Sequence, residues 1–132
     1  MKAPDVPSNE PARIAELRSY ELLDSDADVV LDAITKLVAH CLNVPIALLS
    51  LVDSHRQWFK SRHGLSTQET SREVSFCGHV VAQGAPLVVR DACGDPRFSD
   101  NPLVTGEPHV RFYAGVPLRT ASGAALGTAD AE

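Results

Sequence analysis

The side chains best suited to chemistry fall between positions 77 and 113. Cys77 lies in Ser75-Phe76-Cys77-Gly78-His79, where Ser75 is a natural cap for a helix starting at Phe76. At the second helical position, unsatisfied backbone N–H groups and the helix dipole favour a thiolate, which makes Cys77 a redox candidate. Helical spacing also sets Cys77 beside Phe76, Val80 and Val81 on an apolar face, where a free cysteine is a small core residue. Cys93, next to Gly94 in a loop, is the second redox candidate, although no basic neighbour lowers its pKa. His79 sits at the border of the same helix face, one turn before Gln83. It can offer a ring nitrogen to a ligand or make a structural hydrogen bond. Arg90, Arg97, His109 and Arg111 together suit an anionic ligand such as a cyclic nucleotide or a carboxylate. Each can equally pair with Asp91, Asp95, Asp100 or Glu107 at the surface.

Other chemistries lack their patterns. Cys77, His79, Cys93 and His109 are zinc-compatible types, but no C-x-x-C or H-x-x-x-H spacing joins them, and no metal site is expected. There is no G-x-S-x-G nucleophile elbow, and neither G-x-G-x-x-G nor G-x-x-x-x-G-K for phosphate. No catalytic residues are assigned, and the chain is not expected to be an enzyme.

Several elements must hold these residues. Residues 1–8 read as a flexible tail, followed over 9–26 by a leader helix with Pro11 in its first turn, then a linker. Ser25 and Asp28 form a capping-box-like start to a second helix. Its stripe of Val30, Leu31, Ile34, Leu37, Val38 and Cys41 recurs at 3.6 spacing and is expected to face the core. Asn43 and Pro45 end it. Residues 46–53 read as a central strand buried on both faces. Residues 56–62 form its hairpin partner, with Trp58, Lys60 and Arg62 on one face and Gln57, Phe59 and Ser61 on the other. The polar stretch 64–72 reads as a loop. A helix from Ser75 closed by Gly84, a short strand over 87–90, and a loop over 91–111 broken by turns at Asp95-Pro96 and Asn101-Pro102 follow. Residues 112–119 and 124–128 make a last hairpin around Ser122-Gly123. Ala129-Asp130-Ala131-Glu132 is expected to cut the last strand short. The pattern is α+β, an antiparallel sheet with segregated helices.

Composition narrows the partners. The chain has 132 residues, 44% hydrophobic, with a net charge of -5, enough for one core and not two. Its 12 basic residues do not cluster, which argues against nucleic acid and anionic membrane surfaces. No apolar run approaches the roughly 20 residues that span a bilayer, and the polar, Pro-rich start has no signal-peptide core. Three unpaired cysteines fit a reducing, cytoplasmic setting.

Five blocks, in order, resemble the GAF domain: Leu51-Val52-Asp53, Gln57-Trp58-Phe59-Lys60-Ser61, Ser75-Phe76-Cys77-Gly78-His79, Asp95-Pro96-Arg97-Phe98 and Phe112-Tyr113-Ala114-Gly115-Val116-Pro117-Leu118. The resemblance covers about residues 28–128 and implies a PAS-related sheet of about five strands, with the domain occupying 27–132 and lacking a signalling helix. It implies a small-molecule sensor at the input end of histidine kinases of two-component systems or of diguanylate cyclases. A homodimer or a signalling partner protein would receive the signal. The family's ligand pocket, between sheet and helix, makes Cys77, His79, Arg97, His109, Arg111 and Tyr113 the candidate ligand residues. The ligand itself stays open. Cys77-Gly78-His79 is similar to the Cys-His pair of bilin-binding relatives, but Gly78 intervenes and aromatic residues are 5% of the chain, so neither haem nor bilin is expected. Two alternatives remain: a thiol redox module like the family's free methionine-sulfoxide reductases, and a dimerisation module without ligand.

Overall fold

The computed structural model describes residues 1–132. Six antiparallel strands form one sheet in the order β3-β2-β1-β6-β5-β4, one strand more than the sequence led us to expect. The added strand is β3, Glu69–Ser71, in the stretch read as a loop. Its three residues are polar and form an outer edge against β2, so they carry no apolar alternation to betray them. β1 (Ala47–Val52) and β6 (Ala125–Ala131) occupy the middle. β2 (Arg56–His63), β4 (Leu87–Val89) and β5 (Tyr113–Arg119) complete the sheet.

β6 does not end at Thr128. It runs on through Ala129, Asp130 and Ala131, paired with β1 from Gly127↔Leu51 to Ala131↔Ala47 and with β5 on its other side. Small alanines alternating with polar residues hold a central strand because its neighbours supply all the ladder partners.

Two bulges decide which side chains face which layer. On β2, Leu49 pairs with Ser61 and Ser50 with Phe59, leaving Lys60 as the extra residue. Trp58 and Ser61 therefore share the back face, where Trp58 packs on Leu17 and the Ser61 hydroxyl meets Thr35 Oγ1 at 2.9 Å. The expected strict alternation fails at this point. On β6 the extra residue is Leu126, between Ala125↔Arg119 and Gly127↔Leu118. Gly127 is obligatory there, because a Cβ would overlap the Ser50 carbonyl oxygen. Leu126 joins Leu17, Leu51 and Trp58 on the back, whereas Ala125 packs with Val52, Cys77 and Val81 on the front.

The back carries α1 (Glu10–Ser19) and α2 (Val29–Leu42). α1 is pinned by Glu10, which accepts from Arg13 Nη2 at 2.9 Å and from Arg72 Nη1 at 2.5 Å. Residues 1–8 are coil and pass beside α3 (Phe76–Gln83), with the Lys2 amide donating to Arg97 O at 3.1 Å. α2 begins at an Asp28 cap whose carboxylate accepts from Val30 and Leu31, one turn later than the Ser25 start. The helix also sits rotated from expectation. Thr35 and Ala39 are its buried residues, while Val30, Ile34, Leu37 and Cys41 are exposed. Hydrogen bonds among Asp32, Ser61 and Thr35 hold the inner face, so polar pairing overrides the apolar stripe.

The front carries α3 and the loop before β5. Ser75 caps α3 by accepting from Gly78 N, and Gly84 closes it at φ +64°. The loop contains a 3-10 turn at Ala92–Gly94 capped by Asp91, and α4 (Pro102–Thr105) capped by Asn101. Its core is Phe76, Val80, Phe98, Val104, Val110 and Tyr113, with Phe76 stacked on Phe98 at 4.2 Å.

Candidate functional site

The front face of the sheet beneath α3 is polar where a core should be apolar. In β1 and β6, Ser50 stands opposite Thr128, and Leu48 opposite Asp130. These residues share one face with Val52, which packs on Cys77. Asp130, Ser50 and Thr128 are all buried; Ser50 Oγ donates to Asp130 Oδ1 at 3.2 Å, and the Tyr113 and Thr128 hydroxyls are its other polar neighbours.

Tyr113 reaches this face from β5 by a specific device. Gly115, paired across the ladder with Asp130, has no Cβ, and one placed there would overlap the Tyr113 hydroxyl and crowd its ring. The ring therefore lies along β5 over Gly115, and its hydroxyl ends beside Asp130 and Thr128. Both Tyr113 Oη and Thr128 Oγ1 are buried with no hydrogen-bond partner. Leaving one buried hydroxyl unsatisfied costs about 1–3 kcal/mol, so two side by side are a strong anomaly.

Glu132 continues the row. It pairs through its backbone with Ile46 and lines both a cavity of about 100 Å³ and a cleft of about 360 Å³. The smaller cavity is walled by Leu48, Gln57, Phe59, Leu103 and Pro108; the cleft is bounded by His109, Arg111 and Phe112. None of the chain's ion pairs includes Asp130 or Glu132. Burial, reinforced by the nearby Glu132 charge, pushes the Asp130 carboxyl well above the usual carboxylate range. Burial raises Glu132 to about 7.

Of the residues expected in the pocket, Cys77 and Tyr113 reach this face. Cys77 is fully buried and its thiol donates to Gln57 Oε1. Burial, and then the charges of Asp130 and Glu132, push that thiol well above its ordinary value, which opposes the thiolate needed for redox work. Cys93 is exposed, as is Cys41, and neither touches the site. His79 is half-buried and turned outward, with Nε2 3.1 Å from Lys2 O and its ring edge-on to Phe98. Burial lowers its pKa. Arg97 is committed to Asp95 at 2.8 Å and stacks over Phe98, and Arg90 is exposed. His109 and Arg111 line the outer cleft, where Arg111 Nη1 donates to Val104 O at 2.9 Å. Of the four cationic side chains, His109 and Arg111 thus meet at the cleft beside Glu132, and Arg90 and Arg97 do not line it.

The residues missed from the sequence are Ser50, Thr128, Asp130 and Glu132. The available signal was Asp130 itself, a carboxylate in a strand the fold requires to be central. Its place in the sequence suggests a chain-ending defect, whereas in the fold it is a buried side chain on the front face of a central strand.

The fold is that of a small α+β module, one antiparallel six-stranded sheet with helices on both faces. The GAF domain family model matches residues 26–132, and the chain belongs to that family. It is 43% identical over 128 residues to a cyclic di-GMP phosphodiesterase of Pseudomonas aeruginosa, which covers 97% of this chain but 22% of that protein. The chain thus spans about a fifth of this relative's length. Among solved structures it resembles free methionine-R-sulfoxide reductase from Neisseria meningitidis in complex with its substrate, at a TM-score of 0.63 and 21% identity, covering 99% of this chain and 80% of that one. It also resembles the GAF domain of an Acinetobacter phosphoenolpyruvate-protein phosphotransferase, at a TM-score of 0.60 and 20% identity, covering 91% and 75%. At those identities the likeness is one of fold. No helix is long and apolar enough to cross a membrane.

Proposed function

We propose that this chain is the ligand-binding sensory part of a signal-transduction protein, without catalysis of its own, acting on the output of a cyclic-dinucleotide enzyme like its Pseudomonas relative. One observation carries the reading: two buried hydroxyls, Tyr113 Oη and Thr128 Oγ1, have no partner in a face that also buries Asp130. Such groups cost stability in the empty domain, and a bound small molecule that satisfies them recovers it. Ligand occupancy would bias the loop 91–111, which packs on Tyr113 through Phe98, Val104 and Val110, and a signalling partner or second copy would read the shift. The buried, protonated Cys77 gives no support to a thiol enzyme.

Native mass spectrometry of the purified protein, against its denatured mass, tests the reading. An excess mass that is lost on denaturation, or a saturable rise in Tm with a small molecule, is the expected result. A bare protein from repeated preparations, with no stabilising compound in a metabolite panel, would overturn it.

A further inference from the structure

On the opposite side of the sheet from α3, a cavity of about 230 Å³ opens where β2 bulges beside the start of α2, lined by Ser25, Asp32, Trp58, Lys60, Ser61 and Arg62. The bulge sets its geometry. Because Lys60 is the extra residue, Ser61 turns to the back beside Trp58, and its hydroxyl donates to Asp32 Oδ1 at 2.6 Å. Lys60 is aimed at the segment between α1 and α2, donating to Ser25 Oγ at 2.7 Å and to Asp26 O at 2.6 Å. Those bonds use two of the three ammonium donors and leave one. Asp32 Oδ2 takes no hydrogen bond from the protein. Gln68, also in the wall, donates to Phe59 O at 2.7 Å and accepts from Arg62, whose remaining guanidinium N–H groups are free. The charges around this space do not neutralise one another: Lys60 and Arg62 are cations and Asp32 a carboxylate, yet no ion pair of the chain includes any of the three. Each is held in place by a neutral partner, so the opposite charges stand apart and already oriented.

Going beyond the sensor reading of the front face, we propose that this cavity binds a small zwitterion, a free α-amino acid, with its carboxylate on Lys60 and Arg62 and its ammonium on Asp32. Charge-assisted hydrogen bonds fix such a guest at both ends. A simple anion would meet the like charge of Asp32, and a simple cation that of Lys60; a dipolar guest satisfies both signs at once. At about 30 Å³ per water the cavity has the room of about eight waters, which suits a short amino acid. It lies below the roughly 300–1,000 Å³ of sites for drug-sized ligands and is too small for a nucleotide. A metal ion is the poorer occupant, since one carboxylate stands beside two cations and no three His, Cys, Asp or Glu side chains gather into a ligand cluster. The neighbouring Asp28 carboxylate is engaged as the α2 cap, accepting from Val30 and Leu31, so Asp32 is the acid left for the ammonium. A guest held this way bridges β2 to the first turn of α2.

Trp58 is the chain's one tryptophan and lines the cavity, so its fluorescence reports occupancy. The test titrates the whole chain with glycine, L-alanine, L-serine and L-threonine, read by calorimetry and by Trp58 emission. Each is repeated as its N-acetyl derivative, which lacks the ammonium, and as its amide, which lacks the carboxylate; acetate and ethylamine are the single-charge probes. The expected result is saturable binding of at least one amino acid with a change in Trp58 emission, at least about tenfold weaker for both of its derivatives. Binding also falls at least about tenfold in Asp32→Asn, which keeps an acceptor for Ser61, and in Arg62→Gln, which alters an exposed side chain. Lys60 anchors the segment before α2 as well, so Lys60→Met joins the series only where circular dichroism shows it folded, and the other two substitutions decide. No saturation by any amino acid overturns the proposal. Binding as tight for the N-acetyl derivative or for acetate overturns it too, since the site would then be one for anions. Saturable binding that is silent at Trp58 and indifferent to both substitutions puts the guest elsewhere, which overturns the proposal and leaves the sensor reading of the front face standing.

Discussion

Replacing Tyr113 by Phe removes one oxygen from a fully buried ring and nothing else. Most core substitutions destabilise, but this one is expected to stabilise the ligand-free domain, because the hydroxyl it deletes has no partner. An unsatisfied buried hydroxyl costs about 1–3 kcal/mol, and the small void left by the oxygen returns a fraction of that, so a net gain of about 1–2 kcal/mol is expected. For a domain of this size that corresponds to a rise in Tm of about 4–8 °C. The ring keeps its tilted contact with Phe76, centroids 5.1 Å apart, and its seat over Gly115. Urea unfolding of refolded, ligand-free protein provides the measurement, and an unchanged m-value confirms that only stability has moved. Ligand affinity should fall in the same variant. Opposite signs for stability and binding mark a group kept for its ligand, whereas a packing defect would lower both. A loss of stability in ligand-free Tyr113→Phe would refute the reasoning, since it would mean the hydroxyl is already satisfied.

Glu132 makes the empty domain sensitive to neutral pH. Its carboxyl ordinarily titrates near 4.5 and is raised to about 7 in the folded chain, so between those values the folded state keeps a proton that the unfolded state has lost. Stability should therefore be fullest at the acid end of that window and decline by up to about 3 kcal/mol as pH rises through it; Glu132→Gln should flatten the decline in a pH series of urea midpoints. Glu10 acts in the opposite sense. Burial alone would raise its carboxyl, but hydrogen bonds from Arg13 and Arg72, helped by their charges, hold it at about 2. Its contribution is complete above about 4.5 and lost as pH falls toward 2; after allowance for solvent screening, Glu10→Gln should cost roughly 1–2 kcal/mol at neutral pH, read by chemical denaturation. Thiol labelling of the native protein should modify Cys41 and Cys93 quickly and Cys77 only on unfolding, and fast labelling of Cys77 would contradict its burial.

Much of the framework was legible in the sequence because its signals are local. Ser75 and Gly84 bound α3, Asn101-Pro102 starts α4, and the Leu-rich apolar run into Val52 is central, all through caps and strand composition that act within a few residues. The misreadings share a different cause. α2 was located by its apolar period but its inward face was misassigned, because Thr35, Asp32 and Ser61 form a polar contact between segments almost thirty residues apart. The faces of β2 and β6 turn on Lys60 and Leu126, whose bulges follow from strand registry and leave no mark in alternation. Cys77 and Tyr113, singled out by their motifs, both lie on the front face under α3. The acidic half of the site was not, since nothing local distinguishes a pocket carboxylate from a solvated one.

That acidic half also explains why β6 looks so poor as a strand. A domain selected only for stability would place apolar residues opposite Leu48 and Ser50, where each buried side chain contributes about 1.5–3 kcal/mol. Thr128 and Asp130 forgo that contribution, and Gly115 gives up a side chain so that the Tyr113 ring can lie across the strand toward them. Three separate concessions, on β5 and at two positions of β6, converge on one spot under α3. Unrelated weakening would scatter across the sheet. The remaining front-face core, from Phe76 and Val80 to Phe98 and Val110, is tightly apolar, so the polar patch is bounded on the helix side. A defect confined to the one face that adjoins a cavity, and composed of groups whose deficits a single guest can fill, is the form that ligand-dependent stability takes in a small domain.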